Sequence, residues 1–385
     1  MSVDDDLVEG LPPDPGTAEV TEKEDEENIV DIDFEQEVMP VSYEITSYGA
    51  DYPVDGLVKR LNKNDIVIPS FDPAYTDSEE VRGFQRRFVW GRPQMDKFIE
   101  SLLLGLPVPG IFLVRERTNK LLVLDGHQRL RTLQAFYRGV HDSREYFLRY
   151  VQSPFKDATY ETLQDEDRRR LDDSIIHATV LRQESPPGAQ DAVYSIFERL
   201  NTGGSPLQPQ EIRVALYHGN FLRFINQLNE RQSWRELYGP KSSRFKDQEL
   251  ILRVLALYEE EDSYERPLKS FLNHYLAKNR NRNPSIDDGI GATFTHACDL
   301  IKEAIGARAF RPVAPLNAAT LDSVMIGVMR RSGKGPITDL HALANAHAEL
   351  LGHKDYRAAI LGSTASEDSV TSRLRLATEA FQGVP

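Results

Sequence analysis

Between Leu121 and Gly139 the chain reads LLVLDGHQRLRTLQAFYRG, and this stretch constrains the fold more than any other. Four apolar residues, Leu121–Leu124, predict a buried strand. Asp125–Gly126 breaks it. Leu130, Leu133 and Tyr137 then fall at i, i+3 and i+7, the spacing of one helix face. A strand–turn–helix corner therefore gathers an acid, a glycine, a histidine, a glutamine and an arginine. The first N–H groups of a helix lack intrahelical partners, and the helix dipole makes them attractive to an anion. Gly126 lets a ligand approach the backbone closely, and Arg129 is suited to gripping a phosphate through two parallel hydrogen bonds. The same residues also fit a charged turn in which Asp125 merely caps the helix.

Charge is distributed unevenly. Residues 1–37 carry 15 Asp and Glu against one Lys, which accounts for the whole formal charge of −14. The remaining chain balances, with 45 acids and 45 Lys and Arg. The acidic stretch is rich in Pro, Asp and Glu and poor in aromatics, so it is expected to be a disordered tail, either solvating or tethering a partner. A neutral body argues against tight, unaided binding to duplex DNA, which rests heavily on phosphate contacts. The single cysteine, Cys298, excludes a disulfide framework and a cysteine-rich zinc site, and its helical surroundings predict a buried small residue. No secretory signal and no apolar run long enough to span a bilayer is apparent, so a soluble, cytoplasmic protein without a membrane partner is expected.

Patterning divides the rest in two. Residues 38–185 predict a strand, a short helix around Val54–Leu61, a strand at Ile66–Ile68 and an amphipathic helix over PQMDKFIESLLLG with Pro93 in its first turn. A hairpin of LPVPGIFLVRE and LLVL follows, then the corner helix, a polar helix over YETLQDEDRRRLDDS and a last strand, IIHATVLRQ. From about Gln190 the text is helical, so 186–385 is expected to form an all-α domain. The fold class is α+β: a small mixed-sheet domain followed by helices.

Three more constellations accompany the corner. Gly83–Trp90 interleaves Arg86 and Arg87 with aromatics, a pattern that suits a phosphate or a base and equally an aromatic knot packed on the sheet. Phe197–Arg213 ends one helix at Asn201–Thr202–Gly203–Gly204 and opens another at Pro209. Glu211 there suits the helix dipole, while Arg213 has no local explanation. Arg244–Arg253 places Asp247 as a plausible helix cap, with Arg253 expected to be buried against Asp247 or Glu249. No GxxxxGK[ST] or GxSxG motif occurs. His341 and His347, with Asn345 between them, fall on different faces of an alanine-rich helix, a poor metal site.

Taken together and in order, Phe84–Trp90, Ser101–Pro109, Asp125–Leu133, Phe197–Arg213 and Arg244–Arg253 resemble the N-terminal domain of GmrSD-type, modification-dependent restriction enzymes. That family has a DGQQR motif and belongs to the ParB/sulfiredoxin-like superfamily. The resemblance covers about residues 40–330. It implies a ParB/sulfiredoxin-like nucleotide-binding domain over 38–185 and a helical domain over 186–385. It also implies binding and hydrolysis of a nucleoside triphosphate (ATP, GTP or CTP), coupled to cleavage of foreign or modified DNA. Asp125, Gly126, Gln128 and Arg129 match the motif by position, and His127 replaces its first glutamine, placing a titratable group there.

On that resemblance Asp125, His127, Gln128 and Arg129 are the candidate catalytic residues. Gln85, Arg86, Gly126, Arg129, Asn201 and Arg213 are the candidate nucleotide contacts. Asp125 would bind a divalent ion such as Mg²⁺ or orient water, since such an ion usually neutralises phosphate charge. Larger relatives carry a fused HNH nuclease. None is read in residues 1–385, so DNA and a nuclease subunit acting in trans are expected partners, in an assembly that could be oligomeric. Two other readings compete: a ParB-like nuclease acting alone, and a non-enzymatic module that binds nucleotide as a structural ligand.

Overall fold

The computed structural model describes residues 29–30, 44–68, 90–116, 118–152, 154–185, 191–200, 207–313 and 315–385. They fall into two compact units, one built from 38–226 with 269–283, the other from 1–37, 227–268 and 284–385. The helices of 191–226 thus group with the sheet, past the position 185 where the pattern of strands ends.

The first unit holds a mixed five-stranded sheet. Its strands are β2 (Glu44–Pro53), β3 (Ile66–Val67), β4 (Ile111–Arg115), β5 (Leu121–Asp125) and β8 (Ile175–Ser185), in the spatial order β2-β8-β4-β5-β3. β2 runs antiparallel to β8, and β4 antiparallel to β5. β4 is parallel to β8, and β3 to β5. The predicted strands, hairpin and helices of this region are all present. A two-residue pairing, β6 (Val140–His141) with β7 (Arg144–Glu145), is added beside them.

Four helices cover one sheet face: α1 (Val54–Asn62), α2 (Arg92–Leu103), α3 (His127–Arg138) and α4 (Asp165–Asp173). The spacing of Met95, Phe98, Ile99, Leu102 and Leu103 turns one side of α2 inward, and all five are buried. They join Leu57, Leu130, Leu133 and Phe136 against Leu113, Val123, Ile176 and Val180 of the sheet. Each such side chain contributes about 1.5–3 kcal/mol when fully buried. The alternate residues Val114, Leu122, Leu124 and Leu181 are also buried, so the sheet is covered on both sides along these strands. Helix α5 (Asp191–Leu200) packs against β5 and β8. A near-continuous apolar run such as LLVL is what a strand covered on both faces requires.

The unit is completed by α6 (Pro209–Leu216), α7 (Asn220–Asn229) and α10 (Leu268–Asn279), the last two crossing its boundary. The second unit is mostly helical: α8 (Gln232–Tyr238), α9 (Lys246–Glu260), α11 (Gly289–Ala304), α12 (Ala318–Ser332), α13 (Leu340–Gly352), α14 (Lys354–Leu361) and α15 (Glu367–Gln382). Two residues of the acidic stretch, expected to be disordered, instead form a strand. β1 (Ile29–Val30) pairs in parallel with β9 (Leu316–Asn317).

One expectation for α9 is corrected. Asp247 does not cap the helix. It lies in the first turn, buried, and accepts from Asn229 (2.9 Å) and Arg235 (2.8 Å). Those contacts tie the helix start to neighbouring helices, while Asp247 Oδ1 accepts from the adjacent Gln248 N–H at 3.0 Å. Arg253 is buried and paired as expected, and Asp322 at 2.8 Å is one of its partners. Asp322 also receives Arg373, at 2.9 and 3.0 Å, and all three residues are essentially without solvent contact. Cys298 is buried. His347 is buried against the Ala309 carbonyl, and His341 meets Asn345 on its own helix.

Candidate functional site

The corner forms as the sequence requires. β5 ends at Asp125, Gly126 is the N-cap residue, and α3 begins at His127. Gly126 adopts φ 96° and ψ 10°, a left-handed conformation that favours glycine. A Cβ there would also stand 2.4 Å from Ile111 Cγ2, so position 126 excludes a side chain on two grounds. Gly126 supplies no side-chain cap to α3. Asp125 is therefore not the capping residue of the ligand-independent reading.

Asp125 instead holds Arg129. Its Oδ2 accepts from Arg129 Nη2 at 2.6 Å, one helical turn on. Arg129 Nη1 donates to the carbonyls of Pro109 (2.7 Å) and Gly110, at the entrance to β4. The guanidinium is thus locked between β5, α3 and the segment before β4, and its side chain is 12% exposed. Of five guanidinium N–H groups, three are committed to the protein. A phosphate would meet the remaining two. Gln128, between them in sequence, has a buried Oε1 with no hydrogen-bond partner among the described residues. A buried polar atom of that kind calls for a ligand or an ordered water. His127 and Gln128 are both half-buried on the first turn.

An open pocket of about 470 Å³ lies at this end of the sheet. It is lined by Asp125, by Pro109–Phe112, and by residues that motif reading did not single out: Gly49, Ala50 and Asp51 of β2, and His177, Ala178 and Thr179 of β8. Asp51 and His177 are cross-strand partners in the β2–β8 register. Their side chains are joined, His177 Nδ1 to Asp51 Oδ1, at 2.5 Å. The sequence offered one signal for them. Each is a charged or titratable residue between apolar neighbours in a strand, so alternation turns both away from the core.

The remaining candidates divide. Gln85, Arg86 and Asn201 lie outside the described residues. Arg213 is fully buried, and its Nε donates to Asn273 Oδ1 (2.8 Å) on α10. Nη1 and Nη2 reach Gln210 Oε1 (3.3 Å) and the Lys269 carbonyl (3.4 Å), and the guanidinium lies over the Tyr194 ring. Glu211 reaches back to the Gln208 N–H at 2.7 Å, closing a capping box on α6. Arg213 thereby joins α5, α6 and α10 of the first unit. Among the described residues, no group of three or more His, Cys, Asp or Glu is placed to hold a metal ion. Nor does any described helix have the length and apolarity to cross a membrane.

The molecule is thus an α+β protein. A mixed sheet delivers a DGHQR corner to the rim of an open pocket, and a mostly helical region follows. Residues 58–218 match the family model described as the N-terminal domain of GmrSD restriction endonuclease. The segment so matched contains the corner, and its similarity is to the same family that the motifs resemble. The family takes its name from a restriction endonuclease. No curated protein and no solved structure matches the chain.

Proposed function

We propose that this chain is a nucleoside-triphosphate-binding and -hydrolysing subunit or sensor of a restriction system, with the triphosphate seated at the Asp125–Arg129 corner. One observation carries the reading. A helix start without a side-chain cap, led by a left-handed glycine, stands beside an arginine already anchored by Asp125 and two carbonyls. An anchored guanidinium loses little further freedom on binding a phosphate. The orphaned Gln128 Oε1 is consistent with a ligand at the same turn. A magnesium ion fits this site as a companion of the triphosphate and not as a resident of a protein cage, because Asp125 Oδ2 already serves Arg129. Coupling to DNA cleavage is the activity that the family similarity suggests.

The test is binding and phosphate release by the purified full chain with ATP, GTP and CTP in Mg²⁺, beside an Arg129→Lys variant. Lysine keeps the charge and loses the planar fork. Saturable binding by the wild type, weakened at least about tenfold in the variant, supports the reading. Metal-dependent nicking of plasmid DNA without any nucleotide would overturn it in favour of a nuclease acting alone.

A further inference from the structure

The pocket carries a second paired group that the corner chemistry does not use. Asp51 and His177 stand opposite one another on β2 and β8, with side chains 63% and 76% exposed. A hydrogen bond so open to water contributes little to stability, so stability alone does not account for the pairing. Its setting suggests one. The pocket's other lining from these strands is small, Gly49, Ala50, Ala178 and Thr179, and Gly110 lines it from the segment before β4. At Gly110 a Cβ would come within 2.8 Å of the His177 carbonyl, so the backbone before β4 can lie this close to β8 at His177 only with a glycine there. Asp125 lines the same pocket. Each carboxylate of the pocket is matched by a base: Asp51 by His177, and Asp125 by Arg129.

We infer that Asp51 and His177 form the proton-accepting dyad for hydrolysis of the triphosphate held at the corner, an inference that rests on the function proposed above. Asp51 holds Nδ1 and so sets the tautomer that leaves Nε2 as an acceptor, an orienting role that carboxylates play beside histidine bases. In the step itself a water oxygen forms a bond to the terminal phosphorus, and the bridging oxygen–phosphorus bond of the phosphoanhydride breaks. The water proton passes to His177 Nε2 and then to solvent, leaving a nucleoside diphosphate and inorganic phosphate. His177 is the catalytic residue and Asp51 the positioning residue. The charged or titratable groups around the imidazole are Asp51 from β2 and Asp125 from β5, the latter neutralised by Arg129. The lining at the entrance to β4, Pro109–Phe112, contributes none.

The experiment compares wild type, His177→Gln and Asp51→Asn as full chains, with Mg²⁺ and whichever of ATP, GTP or CTP the wild type binds. Affinity is read from a fluorescent analogue of that nucleotide, turnover from phosphate release, and folding from thermal melts. Nucleotide affinity is expected to stay within about threefold in both variants. Turnover should fall about 10²–10⁴-fold in His177→Gln, the usual contribution of a positioned base. It should fall less in Asp51→Asn, with the loss in kcat and the nucleotide KM unchanged in both variants. Turnover in His177→Gln within about threefold of wild type overturns the dyad, as does a wild type that binds nucleotide without hydrolysing it. A wild type that binds no nucleotide overturns the corner reading itself.

Discussion

Arg129 Nη2 meets Asp125 Oδ2 at 2.6 Å across one turn of α3, so the two charged residues of the corner are joined before any ligand arrives. Asparagine at 125 keeps an acceptor for Nη2 and removes the charge. Asp125→Asn is expected to change stability by less than about 1 kcal/mol, the range of partly exposed pairs. It should tighten nucleotide binding by about two- to fivefold, because a carboxylate no longer faces the phosphates. Titration calorimetry with and without Mg²⁺ checks this. Affinity lost more than tenfold, together with its Mg²⁺ dependence, would place the ion on Asp125.

Gly126→Ala tests the corner's geometry. An alanine would take a left-handed conformation and drive its Cβ to 2.4 Å from Ile111 Cγ2. The two penalties together are expected to cost about 2–4 kcal/mol in chemical denaturation. An unchanged unfolding midpoint would mean that the corner rearranges at no cost.

In the second unit, Asp322 stands between Arg253 and Arg373 with no solvent contact. Asp322→Asn leaves two buried guanidinium charges against a neutral amide. The expected loss is about 3–5 kcal/mol, the range for breaking a buried ion pair. Urea denaturation followed by circular dichroism reads it directly, and a loss below about 1 kcal/mol would show that water reaches the cluster.

Burial holds the His347 imidazole below its ordinary range, opposed only in part by its bond to the Ala309 carbonyl. The unfolded chain therefore takes up a proton that the folded chain resists. Stability is complete above the unfolded value of about 6.5 and declines as pH falls below it. His347→Gln keeps an N–H donor for that carbonyl and removes the titration. The variant should lose less stability than wild type between about pH 7.5 and 5.5. Equal losses would sink the assignment.

Cys298 is the chain's one cysteine, fully buried, and desolvation pushes its thiol well above the ordinary range. Thiolate is the reactive form. A thiol reagent at neutral pH should label the native protein only at the rate of unfolding, and a denatured sample at once with one equivalent. Rapid native labelling would contradict the burial.

Much of the first unit was legible because its signals are local. The α2 stripe, the β4–β5 hairpin and the Asp125–Gly126 break each act within a dozen residues, and each element formed where its spacing indicated. What could not be read was pairing across long separations. His177 and Asp51 lie 126 positions apart, and only the β2–β8 register brings them together. Arg253 has acids nearby at 247 and 249, but its bond to Asp322 lies 69 residues on and has no local signal. Asp247 is likewise held from a distance in sequence, by Arg235 and Asn229.

Similarity and hydrogen bonding draw the edge of this domain in different places. The family match starts at residue 58, inside α1 and after the whole of β2. Yet β2 is the outermost strand beside β8 over ten residues, and it carries Asp51 into the pocket. A fragment begun at the similarity boundary would strip one rail from the sheet and leave β8 as a long, unpaired margin open to other chains. It would also discard Val54 and Leu57, which are sealed in the core. For this architecture the unit of inheritance and the unit of folding are not coextensive, and the shorter one would be expected to aggregate with half a pocket.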